Sequence, residues 1–390
     1  MTSAARIHVE ALAGAIGARG SCTPEEARGH VYCSKALSEM GYAPHTETFR
    51  APLSVWMPYA LASGLALLAA FLFYTQGGAG ALAGAALMLL VVSATFLQLA
   101  HRDNALRWLL PTGESQNVWA QCRPAQTAAG TVVFVAHVDT HRHAWVMSAS
   151  GPFLLLRTLS TLAPAAYIGL LLVCIVRLFA PLPELYPISL VLAALALPVF
   201  GLALWPDFTR FVPGANDNAS GVAAVLEYAA RLRVTPLRST RVIFLFTGCE
   251  EVGAFGAAAF ARMHPELSDA NYLVVDNIGG RDTHPHYLLS ETLLTALHPD
   301  PALLAVAERV AAEHASRPIM SRHLQASFTD LTPLALAGRR AIAFVSYRAS
   351  DGMIPDWHQP TDTVARMDWD AYARTREYVW SVLQALDERG

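Results

Sequence analysis

The sequence predicts an α/β fold, a mostly parallel sheet with helices on both faces, joined to four transmembrane helices arranged as two hairpins. Three observations predict it. Short, β-branched, wholly apolar runs alternate with helix-like stretches; a His or an acidic residue follows closely on most of those runs; and two long blocks of the chain carry almost no charge. Continuous apolar strands suit a parallel sheet buried on both faces. Uncharged blocks long enough to divide into spans of about 20 residues suit a bilayer.

The elements follow in chain order. Residues 9–16 read as helix, residues 25–40 as a second helix behind a Thr-Pro start, and residues 46–50 as an edge strand. Residues 53–100 contain no Asp, Glu, Lys or Arg and break at Gly-Gly-Ala-Gly (77–80), which makes two spans. This block starts behind a polar stretch, unlike a cleavable leader. Residues 131–136 form a strand. A second hairpin runs through the uncharged stretches 158–176 and 185–206, turning at 179–184. Strands at 242–246, 272–275 and 341–345 then alternate with helices at 219–232 and 254–263. This order predicts one catalytic domain assembled from residues 1–52, 101–150 and 207–390, interrupted by transmembrane hairpins at 53–100 and 151–206. The hairpins are the only internal repeat, and there is no low-complexity linker.

Composition agrees. Hydrophobic residues make up 54% of the chain and charged residues 15%, against about 25% in ordinary globular chains. The mean hydropathy is +0.34. A formal net charge of −3 gives no broad basis for binding nucleic acid. No phosphate-cradling loop ends in Lys-Ser/Thr, and no Gly-x-Ser-x-Gly elbow marks a serine hydrolase. Five scattered cysteines form no disulfide framework and suit a reducing compartment. Arg50, Arg102, Arg107, Arg157 and Arg210 flank the spans on the catalytic side, whereas the opposite loops offer Arg177. The positive-inside rule then places the catalytic segments in the cytoplasm, with periplasmic or lumenal placement as the alternative.

Six residues near strand ends or loops carry the chemistry: His137, Asp217, Glu250, Glu251, Asp276 and His358. Ligands of doubly wound sheets gather outside the carboxyl ends of the strands, where His137, Glu250, Glu251 and Asp276 fall. Each has a plainer reading. His137 and His358 would be ordinary loop histidines, Asp217 the N-cap of the following helix, Asp276 the start of a turn, and the Glu pair a solvated turn. Two adjacent acids after a wholly apolar strand, however, call for a cation. Two histidines and three carboxylates can hold two zinc ions around a water, leaving Glu250 to move protons, which points to hydrolysis. Asp139, two residues beyond His137 on an extended chain, points the same way and is expected to accept the second ring N–H of His137. Cys249 reads as a small residue packed beneath the site, and His141, His143 and Trp145 as pocket or surface-turn residues.

The motifs Ala-His-Val-Asp-Thr (136–140), Gly-Ala-Asn-Asp-Asn-Ala-Ser-Gly (214–221), Gly-Cys-Glu-Glu-Val-Gly (248–253), Val-Asp-Asn (275–277) and His-Gln-Pro-Thr-Asp-Thr (358–363) resemble, in order, those of the M28 family of zinc peptidases. That resemblance implies a phosphorylase/hydrolase-like sheet and a pair of zinc ions. Asp217 would bridge both, with Glu251 and His358 on one, His137 and Asp276 on the other, and Glu250 as general base. It implies a peptide substrate and an aminopeptidase activity. The alternatives are glutaminyl-cyclase-like activity, carboxypeptidase or N-acyl amino acid hydrolysis, or a non-catalytic membrane scaffold. Thr329-Asp330 resembles a Ser-Asp stretch of the family, with Thr in place of Ser, and residues 347–356 are expected to wall the substrate. The uncharged spans carry no internal acid or base that would mark an ion path.

Overall fold

The computed structural model describes residues 2–313 and 318–388. Among these residues nine strands form one sheet: β1 (His45–Pro52), β2 (Thr112–Cys122), β3 (Gly130–His137), β4 (Thr240–Thr247), β5 (Asn271–Val275), β6 (Thr283–Thr292), β7 (Ala296–Leu297), β8 (Met320–Gln325) and β9 (Arg340–Arg348). Their order is β1-β2-β4-β3-β5-β9-β6-β7, with β8 paired to β6. The central four, β4-β3-β5-β9, are parallel, and the flanking β1, β2 and β6 run antiparallel to their neighbours toward the centre. The strands come from before, between and after the uncharged blocks, yet they share this sheet.

Alternation along the central strands explains the layering. On β3, Val132, Phe134 and Ala136 face one core, while Val133 and Val135 face the other. On β4, Val242, Phe244 and Phe246 divide from Ile243 and Leu245 in the same way. Helices Pro24–Glu39, Ser220–Val234, Pro301–Glu313 and Trp369–Asp387 cover the first face. Helices Phe255–Met263 and Leu331–Leu336 cover the second. Both faces are therefore dry, which is why these strands are apolar throughout.

The expected edge strand is β1, which extends beyond residues 46–50 at both ends. The strands β2, β6, β7 and β8 and the helices Pro301–Glu313 and Trp369–Asp387 are additions to the elements expected from sequence. β2 reads Thr-Gly-Glu-Ser-Gln-Asn-Val-Trp-Ala-Gln-Cys, too polar to stand out as an apolar run, because it lies next to the sheet edge.

Among the described residues four helices are long and apolar enough to cross a membrane: Met57–Thr75, Gly77–Leu99, Ser150–Phe179 and Leu185–Leu204, the last continuing through a short turn to Phe208. They pack together through Ala62, Ala66, Met88, Val91, Ala163, Tyr167 and Ala196, mostly small side chains that let backbones approach. Leu82, Leu89, Phe71 and Leu172 point outward and are exposed. The third helix begins ahead of the uncharged stretch and carries Arg157 within it. Its hydroxyls at Thr158, Ser160 and Thr161 bond back to carbonyls one turn earlier, so these polar residues do not end the helix.

Candidate metal centre

The sheet delivers the six residues to one place. His137 ends β3, Glu250 and Glu251 follow β4 by way of Gly248 and Cys249, and Asp276 follows β5. β3 lies between β4 and β5, so the connections diverge there and leave a crevice above its carboxyl end. Asp217 enters from the turn ahead of helix Ser220–Val234, and His358 from the loop after β9. All six are buried, at 2–6% exposure, so the solvated-turn reading of the Glu pair does not hold.

Asp217 is the centre of the arrangement. Its Oδ1 lies 3.3 Å from His137 Nε2, which is also 3.3 Å from Asp276 Oδ1. Its Oδ2 lies 3.2 Å from His358 Nε2, which is also 3.2 Å from Glu251 Oε2. One carboxylate thus spans two groups, each completed by a histidine and an acid. Asp217 does not cap the following helix: the Gly221 N–H donates to Asn218 Oδ1 instead. The Asp217 backbone N–H and that of Asn216 donate to the two oxygens of Asp362, which holds the turn. The Asp217–Asn218 peptide is cis.

The electrostatics of the pocket call for cations. No Lys or Arg among the described residues pairs with Asp217, Glu250, Glu251 or Asp276. Asp217 Oδ2, Glu250 Oε1 and Glu251 Oε1 are buried without a hydrogen bond. Burial would lower the His358 imidazole, but Glu251 and Asp217 against it carry it up to about 10. Burial, opposed by His358 and reinforced by Asp217, raises Glu251 to about 7, and burial holds Glu250 well above the ordinary carboxylate range. Ligand atoms of His137, Asp217 and Asp276 lie within 4.8 Å of one another, as do those of His141, Glu251 and His358. Imidazole and carboxylate donors in such groups suit zinc. The residues fit the metal.

Asp139 sits differently from expectation. Its Oδ1 is 3.6 Å from His137 Nδ1, too far for a hydrogen bond, and the imidazole instead meets the Asp139 backbone carbonyl at 3.1 Å. The carboxylate turns to the acid pair: Oδ1 accepts from the Glu250 N–H at 3.0 Å, and Oδ2 from the Glu251 N–H at 3.1 Å and the Ser21 hydroxyl at 2.7 Å.

Other residues were less legible. His141 stacks on His358, with ring centroids 3.9 Å apart, and accepts from Trp56 Nε1 at 3.1 Å. Trp56 stands at the foot of the first apolar helix, so nothing local in the sequence links them. His143 turns aside to Gln359, and Trp145 is half exposed. Arg19, fully buried, donates to carbonyls of Val138, Pro213 and Gly214, tying the loops that carry His137 and Asp217 together. Asp330 accepts from the Thr247 hydroxyl beside the acid pair, and Tyr347 and Ile354 line the cavity over the site. Cys249 is packed beneath the site as expected, with its Sγ 3.3 Å from Cys22 Sγ, both thiols free. Cys249, Ala254, Asn277 and His358 adopt left-handed backbone, non-glycine strain gathered around the site.

Residues 205–383 match the model of peptidase family M28. The fold is similar to that of BSAP, a zinc aminopeptidase from Bacillus subtilis, with a TM-score of 0.59, 13% identity, and coverage of 98% of this chain and 94% of that one. It is also similar to a glutaminyl cyclase of Porphyromonas gingivalis, with a TM-score of 0.57 and 15% identity over 100% of this chain and 99% of that one. A probable lipoprotein aminopeptidase, LpqL of Mycobacterium tuberculosis, is 56% identical over 50 residues, 13% of this chain and 10% of that protein.

Proposed function

We propose that this chain, whose residues 205–383 match the model of peptidase family M28, is a membrane-anchored exopeptidase with two zinc ions, most simply an aminopeptidase. The observation that carries the reading is the division of Asp217 between two histidine–carboxylate groups. His137 and Asp276 would hold one ion, Glu251 and His358 the other, and Asp217 both. Bound zinc supplies a water of lowered pKa and polarises the scissile carbonyl. Glu250, buried and without a partner for Oε1, takes the water's proton and passes it to the leaving amine. Asp139 acts through its grip on the Glu250 and Glu251 backbone and serves as a positioning residue. The catalytic domain comprises residues 1–52, 101–150 and 207–390, and the four helices with outward apolar faces anchor it, with the catalytic side in the cytoplasm.

The test is hydrolysis by purified protein in detergent, with zinc counted per chain. Glu250→Gln is expected to keep its zinc and lose turnover by at least about 1,000-fold; unchanged turnover would sink the mechanism. The likeness to glutaminyl cyclases favours one second reading, ring closure of an amino-terminal glutamine on the same fold. A Gln-initiated peptide assayed for loss of ammonia separates the two.

A further inference from the structure

The site opens into a cavity of about 400 Å³ whose floor holds Asp217, Glu250, Glu251 and His358 and whose far wall belongs to the apolar helices. All four helices contribute, through Tyr59, Thr95, Ala163, Tyr167, Val199 and Ala203. On the third helix the lining runs from Leu156 to Tyr167, about 16 Å of helical rise. Arg157, near the catalytic end, is the charged residue of this helical wall; the deeper part is uncharged. A cavity of this size matches a small-molecule or short-peptide site, and an aqueous substrate would gain nothing from its apolar half.

We propose that this helical half is part of the substrate site, and that it takes short peptides whose residues around the scissile bond are apolar. The proposal rests on the exopeptidase reading and names its substrate class. An apolar side chain seated there leaves water, a gain that grows with the area it buries, while the carbonyl stays at the polar floor. The reaction is hydrolysis: the C–N bond breaks, the acyl carbon takes OH and the amine takes H. Water is the co-reactant.

The experiment uses the full chain, zinc-loaded, in lipid nanodiscs. Leu-Leu-Leu and Leu-Gly-Gly share a first residue and differ at the second and third; N-dodecanoyl-glycine offers an apolar chain without a peptide. Wild type is expected to favour Leu-Leu-Leu in kcat/KM about tenfold, and Ala163→Phe, which fills the wall, to abolish that preference. Because Phe in the packed bundle could unfold it, Leu156→Asn, half-buried and smaller, is expected to reduce the same ratio. No preference in wild type, a preference unaltered in both folded variants, or hydrolysis confined to dodecanoyl-glycine overturns the proposal. Equilibrium binding of Leu-Leu-Leu separates the two layers: tight binding, lost in the variants, without turnover overturns the peptidase reading alone, and absence of binding overturns the pocket.

Discussion

Asp139 shows how a single side chain can organise a site it does not enter. Both of its oxygens already accept, from Glu250, Glu251 and Ser21, whereas Asn has one acceptor oxygen. Asp139→Asn therefore sets an amide NH2 against a backbone N–H. Turnover is expected to fall about 10- to 100-fold with zinc content nearly retained, as kcat and metal analysis would reveal. His30, which is not among the proposed metal ligands, offers a stability test. Neither ring nitrogen has a hydrogen bond, and burial pushes the imidazole down to about 4. The unfolded chain takes up its proton near pH 6.5, the folded one near 4, so acidification through that window favours unfolding. Wild type should lose about 3 kcal/mol there that His30→Leu keeps, read as the difference in their pH-dependent denaturation midpoints.

At the scale of elements, the site depends on how closely helix Ser220–Val234 approaches the end of β5. A Cβ on Gly221 would collide with the Val275 carbonyl oxygen, which is backbone and cannot swing away, and with Asn218 Oδ1, which accepts from the Gly221 and Asn277 N–H groups. Gly221→Ala should cost about 1–3 kcal/mol and weaken zinc binding by displacing Asp217 and Asp276; a zinc titration and thermal denaturation in detergent check it. The central strands were legible because burial on both faces demands unbroken apolar sequence, as in 131–136 and 242–246. β2 and β6 were not, because each mixes polar residues into a flank of the sheet.

At the scale of the molecule, the uncharged blocks interrupt the sheet without breaking it. Each hairpin leaves and returns at the same side, so β1, β2 and β3 can still meet β4. If the catalytic side is cytoplasmic, as proposed, a single cysteine placed at Gln76, in the turn between the first two helices, should react with an impermeant maleimide in intact cells. Protection until lysis would reverse the orientation.

Apolar runs, the acids behind them and the uncharged blocks are local properties, so the sequence by itself determined the α/β class, the candidate spans and which six residues to watch. Their convergence was foreseeable because parallel strands end on one side. Tertiary structure alone decided that Asp139 holds backbone rather than imidazole, that Trp56 supports His141, that Arg19 ties two loops, and that residues of all four apolar helices line the cavity over the site. Each of these contacts joins residues distant in the chain, and composition and spacing carry no record of that.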